Sequence, residues 1–208
     1  MVIWLPASFG GELSAAAGSG EISLNGLNNP DLSVALSTSS GEINAYDAVT
    51  AAFSASSGSG DVYTGDLTVA GLLELSTASG RISLCGGRCG DVQASSASGS
   101  VFLSDVRGDT VQLIGSSGSL DLDDVRASSV ILTSGSGSVS LRRTDAAALS
   151  VETGSGSVWA DLEGSAADYA ADISTGSGSV SGIEPHTDGD RPLRIKTGSG
   201  SVSVSFEG

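Results

Sequence analysis

Leu149-Ser150-Val151-Glu152-Thr153-Gly154-Ser155-Gly156-Ser157-Val158 is the stretch from which the fold can be read. Aliphatic residues alternate up to a hydroxyl residue, a Ser-Gly pair interrupts them, and an aliphatic residue returns two places after the glycine. Period two on both sides means extended strands with one face buried. The odd step across the glycine breaks that phase, so the chain turns a corner there, where a residue without Cβ suits the conformation required. Working outward, the phrase returns ten times, at Gly20, Gly41, Gly60, Gly80, Gly99, Gly118, Gly137, Gly156, Gly178 and Gly200. The intervals are 21, 19, 20, 19, 19, 19, 19, 22 and 22 residues. A fixed period near 20 is the mark of a solenoid.

Aligned on that glycine, the inward columns become explicit. Seven residues before it stand Val34, Phe53, Leu73, Val92, Val111, Val130 and Leu149, and five before it Leu36, Leu75, Leu113, Leu132, Val151, Ile173 and Ile195. Two after it come Ile22, Ile43, Val62, Ile82, Val101, Leu120, Val139, Val158, Val180 and Val202. Leu84, Leu103, Leu122 and Leu141 follow two places later, and Leu27, Leu67, Val106 and Val125 mark a third inward point seven after the glycine. The expected fold is an all-β, single-domain parallel β-solenoid of about ten coils, roughly triangular in section. Right-handed crossover is favoured for parallel strands. With coils about 4.8 Å apart, ten of them form a rod of about 48 Å. The domain spans 1–208, with 1–12 as opening strand and N-terminal cap and 13–208 as stacked coils.

Composition narrows the function classes. Net charge is −15 with a single lysine, Lys196, and eight arginines. Such a surface disfavours nucleic acid, whose binding needs Lys and Arg on phosphates, and anionic membrane surfaces. No segment reaches the apolar length that spans a bilayer, and no charged n-region with an apolar core precedes a cleavage site. The chain therefore reads as cytoplasmic or as an ectodomain whose targeting segment lies elsewhere. Cys85 and Cys89, in Cys-Gly-Gly-Arg-Cys, are too few for a zinc site, and either a small-loop disulfide or two free thiols fits the spacing.

Serine stands one residue before the glycine in every coil, and Ser or Thr three before it in most. A nucleophilic serine needs an adjacent base, and the only histidine, His186, cannot serve ten equivalent serines. One serine per coil on the inward phase would form an internal hydroxyl ladder, satisfying its neighbour or a corner backbone group.

Thr-Gly-Ser-Gly-Ser-Val at 153–158, 175–180 and 197–202, with the opening Val2-Ile3-Trp4-Leu5-Pro6, resembles a prokaryotic adhesin-type β-solenoid domain family, a group largely of unknown function. The resemblance covers essentially the whole chain. It implies the solenoid fold and, loosely, binding at a cell surface or envelope; it implies no catalytic residue and no cofactor.

Three places after the glycine the side chain should face outward, and that column carries Tyr63, Phe102 and Trp159, about 10 and 14 Å apart by strand spacing. Aromatic residues in a row suit a flat glycan or partner-protein site. One place after the glycine, Glu21, Glu42 and Asp61 form an acidic run ending at Arg81, and serine fills the column from Ser100 onward. Such a strip reads as solvated, since no loop follows a calcium pattern. Arg107-Gly108-Asp109 belongs to the repeat, because Asp105-Val106-Arg107 returns as Asp124-Val125-Arg126, so these charges are expected to pair between coils. The 22-residue intervals carry insertions at 164–169 and 184–190, the latter holding His186 among acids. The last strand, with Val202, Val204 and Phe206, has no evident cap and would be an open edge for self-association.

These residues favour a non-catalytic adhesin-like scaffold presenting a flat β-face to a glycan or protein, with no metal and no catalytic site. The alternative is a self-assembling rod stacked head-to-tail through open end coils. A polysaccharide-active enzyme is the remote reading, because no distinctive carboxylate pair stands in a walled cleft.

Overall fold

A computed structural model describes residues 9–207, so the expected opening strand Val2–Leu5 lies outside the described residues. The strands are β1 (Gly11–Ala17), β2 (Ile22–Asn25), β3 (Leu32–Thr38), β4 (Ile43–Thr50), β5 (Ala52–Ser57), β6 (Val62–Thr77), β7 (Ile82–Ser96), β8 (Val101–Gly115), β9 (Leu120–Ser134), β10 (Val139–Thr153), β11 (Val158–Glu163), β12 (Tyr169–Thr175), β13 (Val180–Ser181), β14 (Arg191–Thr197) and β15 (Val202–Glu207). Every strand pairing is parallel and joins equivalent positions of neighbouring coils, as in Val101 between Ile82 and Leu120. Over the described residues the chain is a parallel β-solenoid of about ten coils, as its spacing implies.

Each coil has three sides around one aliphatic core. The first precedes the repeat glycine, the second follows it, and a short third begins seven residues after it. Val92, Leu84, Val106 and Leu113 represent the inward columns, and all are inaccessible to solvent. Between the second and third sides lies a corner six residues after the glycine. There the backbone is left-handed in Gly26, Asp47, Asp66, Gly86, Asp105, Asp124 and Arg143, with φ between 47° and 80°. Asp tolerates this conformation better than most side chains because its short polar group can bond locally.

From Gly41 onward the repeat glycines are required for a reason other than the one expected. None of them has positive φ. Instead, a Cβ on Gly99 would lie 1.7 Å from the carbonyl oxygen of Gly80, and one on Gly60 would lie 1.8 Å from that of Gly41. The corners of successive coils approach so closely that a hydrogen is all that fits.

The hydroxyl ladder exists, three residues before the glycine. Thr77 accepts from the Gly80 N–H at 3.0 Å and donates to the Gly60 carbonyl of the coil below at 3.1 Å. Ser57 and Ser96 make the same pair of bonds. Each hydroxyl thus satisfies two corner backbone groups that the strand ladder leaves over. The serine one residue before the glycine, constant in every coil, is exposed throughout, from Ser19 to Ser199, and takes no part in the ladder.

At the C-terminal end the coils do not stack in chain order. Strand β10 carries β14 rather than β12, with Leu149 opposite Leu193 and Val151 opposite Ile195. Strand β12 then sits on the far side of β14, with Ala171 opposite Leu193. On the second side Val202 of β15 lies between Val158 of β11 and Val180 of β13. The last coil has slipped between the two that precede it. Burial agrees: Ile195 is fully buried and Val202 is 1% exposed, whereas Ile173 and Val180, their equivalents in the Gly178 coil, are 7% and 36% exposed.

This overturns the expectation that Val202, Val204 and Phe206 form a free terminal edge. Val202 is paired on both sides. The Val204 carbonyl is so close to Gly182 that a Cβ there would sit 1.7 Å away, and Phe206 packs on Tyr169 with ring centroids 5.5 Å apart. The outermost coil is the one around Gly178, and its edge is partly closed. Ala171 and His186 exchange backbone hydrogen bonds of 2.7 and 3.2 Å, an antiparallel bridge that lays the 184–190 insertion along β12.

Candidate binding face

The second side of the solenoid is where outward side chains form straight columns, because strand register is unbroken there. Three residues after the glycine the neighbours run Asn44, Tyr63, Ser83, Phe102, Asp121, Ser140, Trp159 and Ser203. Tyr63, Phe102 and Trp159 therefore share one column, as the spacing implied, with one serine between the first two and Asp121 and Ser140 between the last two. Their environments differ. Tyr63 is half-buried and its hydroxyl donates to Asp61 Oδ2 at 2.7 Å. Phe102 is half-buried between Ser83 and Asp121. Trp159 is 52% exposed.

Trp159 stands out because its neighbours are small. Ser140 and Ser203 flank it in register, so the indole is not walled in along the solenoid axis. A shallow groove around it is lined by Asp121, Ser140, Arg142, Asp161, Ser203 and Ser205. Asp121 accepts a hydrogen bond from Ser119 Oγ at 2.7 Å and Asp161 one from Ser205 Oγ at 3.0 Å. The arrangement is a flat apolar plate ringed by hydroxyls, two carboxylates and a guanidinium.

Tyr46 belongs to the same side but escaped the sequence reading. It lies in the next outward column, five after the glycine, and is 39% exposed. Its ring rests against Gly65 of the next coil, where an added Cβ would be 2.9 Å from Cδ1. The signal was present, since an aromatic opposite a glycine on a neighbouring strand covers bare backbone.

The acidic run is tied by amide and backbone donors. The Asn44 side chain donates to Glu21 Oε1 at 3.0 Å and to Glu42 Oε1 at 2.6 Å. Asp61 accepts from the Arg81 backbone N–H at 2.7 Å, and that bond, with the Tyr63 hydroxyl, holds its carboxyl below the ordinary 3.8. Reciprocally, the bond to Asp61 raises the Tyr63 hydroxyl.

In the Arg-Gly-Asp segment, Arg107 lies 3.6 Å from Asp105 of its own coil, and Arg126 likewise from Asp124. Only Arg126 also reaches between coils, to Glu163 at 2.9 Å. The expected inter-coil pairing therefore holds for Arg126 and not for Arg107. Cys85 and Cys89 are free thiols on either side of the Gly86 corner. Cys85 is exposed, while burial pushes the Cys89 thiol up to about 11.

His186 does not face its acidic loop neighbours. Its ring nitrogens lie 2.8 Å from the Glu184 carbonyl and 3.0 Å from the Ala166 carbonyl, so the side chain fastens the insertion to the turn after β11.

A family model described as Toastrack DUF4097 matches residues 1–90 and again residues 68–208. That description does not carry the adhesin label of the sequence resemblance. No curated protein and no solved structure matches the chain.

Proposed function

The chain belongs to the Toastrack DUF4097 family, and on that premise we propose that it is a non-catalytic binding scaffold whose second side receives a glycan on Trp159. The observation that carries the reading is the open indole between Ser140 and Ser203, with Asp121, Arg142 and Asp161 around it. A pyranose ring offers an apolar C–H face and a rim of hydroxyls. The indole face suits the first, and the carboxylates, guanidinium and serines suit the second. A rigid solenoid keeps these groups in place without a loop that must order on binding, which lowers the entropic cost.

Glycosidic cleavage asks for one carboxyl held protonated as acid and a second as base or nucleophile. Asp121 and Asp161 both accept hydrogen bonds from serine hydroxyls on an open face, which fixes their oxygens as rim groups that orient a ligand. The residues thus favour recognition over turnover.

The test is a glycan screen with the intact protein, followed by Trp159→Ala. Affinity should fall roughly 10-fold or more, as for a truncated aromatic hot spot, with the melting temperature unchanged. Phe102→Ala and Tyr63→Ala should weaken binding less. Glycan affinity indifferent to Trp159, or no glycan bound at all, would sink the reading; a protein ligand lost in Trp159→Ala would keep the face and change the partner.

A further inference from the structure

The Gly200 coil fills a slot that the preceding chain leaves vacant. After Glu163 the chain passes Gly164, at φ 103°, and a 3-10 turn at Ala166–Asp168, then enters β12 two layers up rather than one. Loop 182–190 turns back, and residues 191–207 enter the gap. Without them, β10 and β11 below and β12 and β13 above would face each other across one missing layer. That slot takes one kind of occupant: an extended parallel segment with aliphatic residues at alternate positions, a hydroxyl before the corner and a glycine at it. Leu193, Ile195, Thr197, Gly200, Val202 and Val204 meet every requirement.

The fit is tight at each contact. Thr197 donates to the Gly156 carbonyl below at 3.0 Å, and Thr175 above donates to the Gly200 carbonyl at 2.8 Å. Arg191 pins the segment at its start. Its guanidinium donates to the Ala146 carbonyl at 2.7 Å, pairs with Asp145, and lies 4.8 Å over the Tyr169 ring.

We propose that the terminal coil is exchangeable between copies of this chain, giving a swapped dimer in which residues 191–207 of each protomer fill the slot of the other. All slot contacts are the same in the monomer and the swapped dimer, so the balance rests on the connecting loop and on concentration. The loop permits it. Extended, residues 182–190 reach roughly 30 Å, and among the described residues the loop is held back by buried Ile183, the close packing of Gly189 on the Tyr169 backbone, the Ala171–His186 bridge and the two carbonyl contacts of the His186 ring. The coils from Gly41 to Gly137 lack this freedom, because each is joined on both sides to the coils that touch it. The proposal is independent of the glycan reading.

The experiment uses full-length chains with Cys85→Ser and Cys89→Ala. One variant carries Ser157→Cys, a second Ser201→Cys, and a third both. Ser157 Oγ lies 3.3 Å from the Ser201 backbone nitrogen across the slot wall, so adjacent strands place these positions within disulfide reach. The single variants are unfolded together at high concentration, refolded, oxidised and mapped by peptide mass. A 157–201 bond between different chains, absent when folded monomers are merely mixed, is the expected result. Its yield should rise with concentration and in His186→Ala, which loosens the loop. If the double variant closes 157–201 within one chain but no refolding concentration gives the inter-chain bond, exchange does not occur. If the double variant does not close either, the slot itself is wrong and the proposal fails with it.

Discussion

The stretch from Gly60 to Gly156 and the stretch beyond Glu163 are written in the same repeat and behave differently. In the first, intervals of 19 or 20 residues advance the chain one layer per circuit, and each strand finds its predecessor beneath it. In the second, intervals of 22 residues supply a turn that skips a layer and a loop that returns to it. Repeat identity therefore specifies which residues share a column, while connector length specifies which coil sits on which. A solenoid's stacking order is a property of its corners.

The sharpest break of that comparison is a methyl group at the crowded corner. Gly99→Ala would force a Cβ to 1.7 Å from the Gly80 carbonyl with coils locked above and below. It should cost about 4 kcal/mol or more, or prevent folding. Gly178→Ala meets the Gly200 carbonyl at 2.2 Å, but its coil is outermost and can lift away, so roughly 1–3 kcal/mol is expected. Denaturant titration of both variants measures the difference, and equal losses would mean the Gly178 coil is not terminal.

Thr77→Val removes the acceptor of the Gly80 N–H and the donor to the Gly60 carbonyl while keeping side-chain shape. Two corner groups then lose their partners, at about 2 kcal/mol. Chemical unfolding should show a shifted midpoint with an unchanged slope.

Arg191→Ala tests the inserted end alone. Loss of the contacts to Ala146, Asp145 and Tyr169 should cost about 2 kcal/mol by the scale for hydrogen bonds to charged groups. Hydrogen exchange should quicken in β12 to β15 and stay unchanged in β7 to β9. Uniform acceleration would show that the terminal coil is no separate unit.

The smallest effect lies at the Gly86 corner. The thiolate is the reactive form of cysteine, and with its pKa raised to about 11 Cys89 is protonated at pH 8. Alkylation there should label exposed Cys85 and leave Cys89 until the pH nears 11 or the chain unfolds. Equal labelling at pH 8 would place Cys89 outside the core.

Much of this was legible in the sequence. The inward columns that include Val92, Leu113, Ile82, Leu84 and Val106 were all readable from period two and the third inward point, and each of these residues is buried. The column of Tyr63, Phe102 and Trp159 was equally readable, because register follows the glycine. What was not readable has definite causes. Thr175–Val180 and Thr197–Val202 are the same six residues, so either fits on Thr153–Val158 and the repeat carries no information on their order. That ambiguity hid the true position of Val202, Val204 and Phe206. The exposure of the serines before each glycine depends on which way the corner turns, which period two does not say. The left-handed corner at Asp66 and Asp105 leaves no mark in hydrophobic patterning, since aspartate also fills ordinary loops. Trp159 has a serine on both sides where Phe102 has Ser83 and Asp121, a property of neighbouring coils.

Stacking order can be read directly from two paired-cysteine variants in the Cys85→Ser, Cys89→Ala background. Adjacent strands lie about 4.8 Å apart and alternate ones about 9.6 Å, and a disulfide requires Cα atoms within about 7 Å. With the Gly200 coil inserted, Ser157→Cys/Ser201→Cys closes within one chain and Ser157→Cys/Ser179→Cys stays reduced. Closure of 157–179 with 157–201 left reduced would mean that the coils stack in chain order, and would contradict the insertion.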